Sequence, residues 1–354
     1  MVSVGGKRVS NFCSNDYLGM AAHPAVIEAG QNAAKHGFGA GASHLVCGHH
    51  DEQQALEEEL ATWLGRERAL VFSSGYAANL SAITTLVGKG DTVLHDRLNH
   101  ASLFDGTVLS GAKLQRYLHN DIPSLMTKLS KLSQGETLVV SDGVFSMDGD
   151  MADLEALTSL GPQQPALMID DAHGIGVLGA SGGGVVQHYN KSTEQVPVLM
   201  GTLGKALGTS GAFIAGSQVL IESLIQFARP YIYTTAAPLP IAAATRKSLE
   251  IVQQDHERRA RLHGLIALFT MAAAKKQLPI MPSPTAIQPL LVGDDQKAVA
   301  MSERLFDKGF WISAIRPPTV PAGTARLRIT LTSEHSEQQI MNLVAALDEA
   351  WREQ

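Results

Sequence analysis

The chain has 354 residues, which is enough for a large buried core, and we expect two domains. It carries 28 Lys and Arg against 34 Asp and Glu, for a net charge of −6, which argues against nucleic acid or an anionic membrane surface as the main partner. Only Cys13 and Cys47 occur, too few for a disulfide framework, and no apolar stretch reaches the roughly 20 residues of a membrane span. We therefore expect a cytoplasmic protein.

The first two thirds of the chain alternate short apolar strands with amphipathic helices. Helices are predicted over 25–35, 52–65 and 77–87, and in the second of them Leu56, Leu60 and Leu64 share a face while 57–59 are expected to lie largely outside. Strands are predicted over 69–73, 92–95, 113–117, 137–141, 166–170, 197–201 and 211–215. This alternation implies an α/β fold with a mostly parallel sheet and helices on both faces.

The pattern changes towards the C-terminus. A long helix is predicted over 241–274, with a break near His263-Gly264, and strands are predicted over 286–292, 311–315 and 326–332. The last strand alternates polar and apolar residues, which is typical of a sheet with one wet face, and a closing helix covers 336–351. The predicted division is a short arm at 1–20, a large α/β domain at 21–250 and a small α+β domain at 251–354.

Two motifs are set aside. The sequence GFGAG at 37–41 resembles a dinucleotide-binding loop, but a helix precedes it where a strand is required. The sequence HHDE at 49–52 could suggest a metal, but no further Cys or His ligands lie at zinc spacing, so no metal is predicted and a solvated loop is expected.

A candidate site arises where two predicted strands end. The sequence DDAHG at 170–174 follows one strand, and TLGKALG at 202–208 follows another. Ligands bind at the carboxyl ends of strands in α/β sheets, so Asp170, His173 and Lys205 are expected in one crevice. A lysine among glycines, facing a buried carboxylate, suits a Schiff base to pyridoxal 5′-phosphate, with the carboxylate on the pyridinium nitrogen.

The other parts of such a site are also present. The turn at 73–76 joins a strand to a helix, so its backbone N–H groups can hold a phosphate, and Gly75 permits close approach. His100 follows the strand at 92–95 and could stack on the cofactor ring. Singly, these residues read more simply as a turn cap, a solvated lysine, a serine N-cap and a loop histidine. Their order along the chain favours the joint interpretation.

Several motifs together resemble the α-oxoamine synthase family of fold-type I pyridoxal-phosphate enzymes. They are SNDYLG at 14–19, SGYAAN at 74–79, GVFSMDGD at 143–150, DDAHG at 170–174, GK at 204–205 and AIRPPTVPAGTARLR at 314–328. The resemblance runs from about residue 11 to the C-terminus. It implies the aspartate-aminotransferase-like fold, with a large pyridoxal-phosphate domain and a smaller C-terminal domain.

The resemblance also implies residue roles around the cofactor. Lys205 would carry the cofactor as a Schiff base, Asp170 would hold the ring nitrogen, His173 would contact the phenolic oxygen and His100 would stack on the ring. The remaining cofactor contacts would come from Ser146 beside the cofactor, from Thr202 with Gly75 and Tyr76 at the phosphate, and from Thr234 and Thr235 of the other subunit of a homodimer.

For the substrates, the resemblance implies that Asn15 and Arg316 position them, with Arg316 on the amino-acid carboxylate. An arginine fork fixes planar orientation as well as charge, and Pro317 and Pro318 stiffen the backbone after it. Without the motif, Arg316 would be a surface arginine before a proline turn.

The segment at 314–328 favours the branch that condenses L-alanine with a pimeloyl thioester, on coenzyme A or an acyl carrier protein. The alternatives are a glycine-using synthase, an aminotransferase and a non-catalytic protein that binds pyridoxal phosphate. Members of the family carry a helical segment ahead of the SNDYLG region, so we expect weaker contacts with the acyl chain here. Gln53 and Asp142 stand where related sequences often have His and Glu, and cofactor binding is expected to survive both changes.

Overall fold

The computed structural model describes residues 1–132, 134–161 and 165–353. The strands are β1 (Val2–Val4), β2 (Lys7–Asn11), β3 (Arg68–Phe72), β4 (Thr92–Asp96), β5 (Lys113–Tyr117), β6 (Thr137–Asp142), β7 (Ala166–Asp170), β8 (Val198–Thr202), β9 (Ala212–Gly216), β10 (Ile287–Gly293), β11 (Phe310–Trp311), β12 (Ser313–Ile315) and β13 (Ala325–Thr330).

The helices are α1 (Pro24–Ala34), α2 (Asp51–Leu64), α3 (Gly75–Leu86), α4 (Ala101–Ser110), α5 (Ile122–Leu129), α6 (Leu154–Leu157), α7 (Gly184–His188), α8 (Gln218–Phe227), α9 (Arg229–Ile232), α10 (Leu239–Gln254), α11 (His256–Lys275), α12 (Asp295–Asp307) and α13 (Glu337–Arg352). A 3₁₀ turn covers Met20–Ala22 and a π-helical turn covers His44–Gly48. Among the described residues, none of the helices combines the length and apolar character that a bilayer crossing needs.

The described residues form two compact units. One contains 20–145 and 151–255, and the other contains 1–19, 146–150 and 256–354. The division into an arm, a large domain and a small domain that the sequence suggests stays a prediction.

The larger unit is built on a seven-stranded sheet in the order β3-β9-β8-β7-β6-β4-β5. Strands β5, β4, β6, β7 and β8 are parallel, and β9 runs antiparallel to both of its neighbours. All seven strands predicted for this region are confirmed to within one residue at each end, and so is the mostly parallel α/β sheet. Apolar side chains of α3, α8 and the strands form one buried cluster, which includes Leu70, Ile83, Ile214 and Leu224.

Helix α2 confirms the predicted helix at 52–65, but its outer face differs from the prediction. Leu56 and Leu60 are buried as expected, whereas Glu57 is also buried, at 4 % exposure. Its carboxyl accepts a hydrogen bond from the Val71 backbone N–H at 2.9 Å. The prediction was wrong because β3 packs on this face of the helix and supplies a donor that helical periodicity does not reveal.

The smaller unit has two three-stranded sheets, β1-β2-β11 and β10-β13-β12. The predicted strand over 311–315 is divided between them, as β11 and β12. The wet face predicted for 326–332 is wrong, because every residue of β13 is buried. Arg326 and Arg328 are accommodated there by Asp148 and by the Ser146 carbonyl, at 2.6 Å in both cases.

The predicted helix break near His263-Gly264 is also wrong. The chain leaves the helix at Asp255, where ψ is 74°, and α11 then runs without interruption through Gly264. Leu262, Leu265 and Phe269 are buried along one side of α11. Because packing on both sides of Gly264 holds the helix, the intrinsic cost of a mid-helix glycine, about 1 kcal/mol, does not break it.

Candidate active site

Asp170, His173 and Lys205 meet at the carboxyl edge of the large sheet, as the sequence predicts. Asp170 is the last residue of β7, and Lys205 follows β8, the next strand in the sheet. The Lys205 Nζ lies 2.9 Å from His173 Nε2. An amine and an imidazole are therefore hydrogen-bonded beside a strand that ends in a buried carboxylate.

The Asp170 carboxylate is held by two donors. Its Oδ2 accepts a hydrogen bond from Asn79 Nδ2 at 2.7 Å, and its Oδ1 accepts one from the Ala172 backbone N–H at 3.1 Å. Asp170 is 5 % exposed and Asn79 is fully buried. Hydrogen bonds to a carboxylate fix its orientation, so Asp170 is a fixed acceptor at this edge of the sheet. The helical pattern that predicts α3 gave no reason to single out Asn79.

The N-terminus of α3 lies beside the end of β8. Ser74 is the N-cap residue, and its side chain accepts from the Ala77 N–H at 3.2 Å. A Cβ on Gly75 would lie 3.1 Å from Thr202 Cγ2, so the backbone at Gly75 comes close to Thr202. The first N–H groups of a helix have no partners within it and favour an anion. The predicted phosphate-binding residues Gly75, Tyr76 and Thr202 are thus brought to one place.

His100 is the N-cap residue of α4, where the sequence analysis expected a loop histidine or a ring-stacking one. Its backbone N–H donates to Asp142 Oδ1 at 3.1 Å, and its Nδ1 lies 2.7 Å from Ser102 Oγ. His100 is exposed, which is compatible with the predicted stacking on a bound ring.

Asp142, one of the two noted departures, is tied to the same end of the sheet. Asp142 lies opposite Asp170 in the register of the neighbouring strands β6 and β7. Its backbone N–H donates to Asn99 Oδ1 at 3.0 Å. Burial raises the pKa of the Asp142 carboxyl well above its ordinary value, and the neighbouring Asp170 charge raises it further. The Asp142 carboxyl therefore supports the backbone of His100, and its negative charge is disfavoured beside Asp170.

Asp171 is a supporting residue that the sequence analysis quoted in a motif but assigned no role. Its Oδ2 accepts from the Val185 N–H at 2.7 Å, and a Cβ at Gly174 or Gly184 would lie 2.1 or 1.8 Å from its carboxyl oxygens. Burial raises its pKa well above the ordinary value. The side chain fills a space that only glycines leave open, and it anchors the loop that carries His173.

Gln53, the other departure, links two segments of the larger unit. Its Oε1 accepts from the His50 N–H at 2.8 Å, and its Nε2 donates to the Ala237 carbonyl at 2.6 Å. A bridge between Ser43 and Thr235 holds the same segment. Thr235 is exposed and Thr234 is half-buried, and their predicted contact with a partner's phosphate stays a prediction. The solvated loop expected at 49–52 is wrong for 51–52, since α2 begins at Asp51 with His50 as its N-cap residue, and the His50 backbone N–H is bonded to Gln53.

In the smaller unit, Asn15 and Ser146 are both joined to Arg328. The guanidinium donates to Asn15 Oδ1 at 3.2 Å and to the Ser146 carbonyl at 2.6 Å, and Arg328 itself is buried. Arg316 is exposed and directly precedes Pro317 and Pro318, which are joined by a cis peptide bond. Sequence reasoning quoted Arg328 within a motif but did not identify it as the residue that organises Asn15 and Ser146.

Lys205, Asp170 and the N-terminus of α3 fit pyridoxal phosphate. The amine can bind the cofactor aldehyde, the carboxylate can bind the ring nitrogen, and the helix terminus can bind the phosphate. A Cβ at Gly75 would crowd Thr202 Cγ2 at 3.1 Å, so a glycine suits this position at the start of α3.

Comparison with known proteins agrees with this chemistry. The sequence model of the family described as aminotransferase class I and II matches residues 7–347, and the chain belongs to this family. The fold is therefore that of the class I and II aminotransferases.

Three similar proteins show which enzymes of this family the chain resembles. The chain is 58% identical to 8-amino-7-oxononanoate synthase of Pseudomonas fluorescens, over 99% of this chain and 90% of that relative. Among solved structures, 8-amino-7-oxononanoate synthase from Francisella tularensis is 32% identical, with a TM-score of 0.86 and 98% of both chains covered. A serine palmitoyltransferase solved with its pyridoxal phosphate is 32% identical, with a TM-score of 0.94 over 99% of this chain and 89% of that one.

Proposed function

We propose that this chain is a pyridoxal-phosphate-dependent 8-amino-7-oxononanoate synthase of biotin synthesis. It condenses L-alanine with a pimeloyl thioester and releases CO₂ and the free thiol. The observation that carries the proposal is the hydrogen-bonded pair of Lys205 and His173 beside Asp170, in a chain 58% identical to a curated synthase of that name.

Lys205, His173 and Asp170 of the larger unit have different roles in proton transfer. When bound, the cofactor accepts electron density from the amino-acid Cα. Lys205 Nζ would hold the cofactor, and as a positioned base it would take the Cα proton of L-alanine, an effect worth about 10²- to 10⁴-fold in rate. The hydrogen bond to His173 fixes the position of Nζ, and the Asp170 carboxylate would favour a protonated ring nitrogen on the bound cofactor.

The substrate contacts are proposed from the family motifs. Arg316 binds the alanine carboxylate, and Asn15, held by Arg328, borders the substrate. The acyl group arrives on coenzyme A or on an acyl carrier protein, and the attack of the alanine Cα on its carbonyl expels the thiol.

We further propose a homodimer in which Thr234 and Thr235 reach the partner's phosphate site. Exposed apolar side chains at Phe38, Val46 and Tyr233 lie on the segments around the Ser43–Thr235 bridge and support an interface there. A cytoplasmic location stays a prediction from the cysteine content.

The test is a condensation assay on the cofactor-loaded protein. L-Alanine and pimeloyl-CoA are added, free thiol is followed by a chromogenic reagent, and the product is identified by mass spectrometry. Lys205→Ala is expected to abolish thiol release and, before L-alanine is added, the absorption band of the lysine-bound cofactor. Lys89→Ala, at an exposed lysine in a loop, is expected to keep both. Glycine and an acyl carrier protein thioester are tested in parallel arms.

The outcomes separate the alternatives. Release of thiol with glycine but not alanine assigns a glycine-using synthase instead. A stable visible band with no thiol release from either carrier contradicts the proposal and leaves a protein that only binds the cofactor. Normal turnover by the Lys205→Ala variant overturns the assignment of the base.

A further inference from the structure

A continuous hydrogen-bond chain joins two of the residues placed around the cofactor. Asn79 Nδ2 donates to Asp170 Oδ2 at 2.7 Å and to Ser102 Oγ at 2.8 Å, and Ser102 Oγ lies 2.7 Å from His100 Nδ1. Asn79 and Ser102 are both fully buried. The chain runs from the end of β7, through α3, to the first turn of α4.

The donor and the acceptor can be assigned for each hydrogen bond of this chain. The Asn79 amide points its nitrogen at Asp170 because its carbonyl oxygen would be repelled by the carboxylate. Asn79 Oδ1 is buried without a partner among the described residues, so the orientation is maintained by Asp170 despite that cost. The second amide hydrogen goes to Ser102 Oγ. The hydroxyl proton of Ser102 is donated to His100 Nδ1, because a backbone N–H also requires that nitrogen to be an acceptor.

A second donor points at the same nitrogen. The Ser102 backbone N–H, one of the free donors of the first turn of α4, donates to His100 Nδ1 at 3.3 Å. A nitrogen that accepts from a hydroxyl and from a backbone N–H carries no proton of its own. In a neutral imidazole the proton is then on Nε2.

We propose that Asn79 and Ser102 are positioning residues that hold His100 as the Nε2–H tautomer. The ring that is expected to stack on the cofactor then presents a donor at its Nε2 edge, and it recognises an acceptor oxygen of a bound substrate, such as a carboxylate or a thioester carbonyl. The tautomer is tied to Asp170 through two buried side chains. The assignment of that edge to a substrate rests on the proposed function, whereas the tautomer itself does not.

The tautomer is measured directly on the protein without cofactor. Two-bond ¹H–¹⁵N correlation spectra of protein labelled at its 13 histidines give the protonation of both ring nitrogens, and the His100→Asn variant assigns the His100 signals. The wild-type protein is expected to show His100 with an unprotonated Nδ1 and a protonated Nε2. A proton on Nδ1, or on both nitrogens, at neutral pH overturns the proposal.

Variants test which residues impose the tautomer. Ser102→Ala is expected to move the His100 nitrogen shifts towards a mixture of tautomers, and Ser102→Thr, which keeps the hydroxyl, is expected to restore them. Asn79→Ala provides a second, independent route to the same change. Unchanged His100 shifts in both Ser102→Ala and Asn79→Ala contradict the proposal.

Thr107 offers a matched control in the same helix. Its buried hydroxyl lies 2.8 Å from His95 Nε2, so Thr107→Val removes a comparable hydroxyl–imidazole bond. It is expected to move the His95 signals and leave those of His100 in place. In the loaded enzyme, Ser102→Ala is expected to lower kcat/KM for L-alanine about tenfold, the effect of one lost hydrogen bond. If the tautomer is as expected but no thiol is ever released, the proposed function fails and the positioning of His100 stands.

Discussion

At the residue scale, the site divides into side chains that sequence predicts and side chains that support them. Asp170, His173 and Lys205 could be predicted together because each lies at or just after the end of an apolar strand, where a parallel sheet presents ligands. Asn79 ends the SGYAAN motif, but its role could not be predicted, because an amide within a helical pattern looks like an ordinary polar position. Its importance depends on the two acceptors that meet it, one from β7 and one from α4.

Glu57 is a charged residue whose burial the sequence pattern also did not predict. That burial leads to a prediction about the pH dependence of stability. Its pKa is raised from 4.5 to about 8 by burial, in spite of the Val71 N–H. The folded protein therefore binds a proton that the unfolded chain has released above pH 4.5. The stability that Glu57 contributes is fully present below that pH and is lost as pH rises towards 8, by on the order of a few kcal/mol.

The Glu57→Gln variant is expected to remove this dependence while keeping an acceptor for Val71. Urea unfolding of the protein without cofactor, at several pH values from 6.5 to 8.5, measures the difference. That window is chosen because burial lowers the pKa of His44, whose ring contacts His49 beside Glu57, from 6.5 to about 4. The contribution of His44 to stability is almost complete above pH 6.5. Glu58→Gln, at the exposed next residue, should retain the wild-type slope. Equal slopes for wild type and Glu57→Gln would contradict a neutral buried acid.

At the scale of the element, the pattern of apolar and polar residues along the chain was sufficient to predict the seven strands of the large sheet. A parallel strand buried on both faces has a continuous apolar run, so its ends can be read from where polar residues begin. The pattern failed for β13. Its alternating arginines predict a solvent-exposed face, but these residues are buried. The pattern also failed for the break between α10 and α11, since glycine was given more weight than packing.

Gly264 and Gly65 make a matched pair for testing that interpretation. An added Cβ meets nothing within 4 Å at either position, but Gly264 lies inside α11 and Gly65 ends α2 with φ at 62°. Gly264→Ala is expected to stabilise the fold by about 0.5–1 kcal/mol, through helix propensity alone. Gly65→Ala is expected to destabilise it by about 1 kcal/mol, because a side chain disfavours the left-handed conformation.

Thermal and urea unfolding of both variants measure the two effects. The contrast isolates backbone conformation, since neither methyl group gains or loses a contact. Destabilisation by Gly264→Ala would mean that α11 depends on the freedom of that glycine, and the break predicted from the sequence would have a physical basis after all.

At the scale of the whole molecule, the sequence pattern does not predict which distant segments belong to the same compact unit. Residues 1–19 and 146–150 belong to the same compact unit as 256–354. The link is made by side chains far apart in the chain, such as Arg328 with Asn15 and with the Ser146 carbonyl. Hydrophobic periodicity reports only local structure, so it gives no sign of this association.

The last prediction concerns the proposed homodimer and the proposed sharing of its active sites. If Thr234 and Thr235 serve the partner's phosphate, a Lys205→Ala subunit retains intact threonines and a Thr234→Val/Thr235→Val subunit retains an intact lysine. Each variant alone is expected to be inactive, or nearly so. After unfolding, mixing and refolding, half of the dimers are hybrids with one complete site each, so thiol release should recover to about a quarter of the wild-type rate.

The control is the Lys205→Ala subunit mixed with a subunit that carries Asp170→Ala. Both changes then fall on residues that serve their own subunit's site, and no hybrid dimer contains a complete one, so activity should stay absent. Light scattering after size-exclusion chromatography checks that each mixture is dimeric. Dimers that form but show no recovery in the threonine mixture would place Thr234 and Thr235 in their own subunit's site, and a monomeric protein with full activity would remove the shared site altogether.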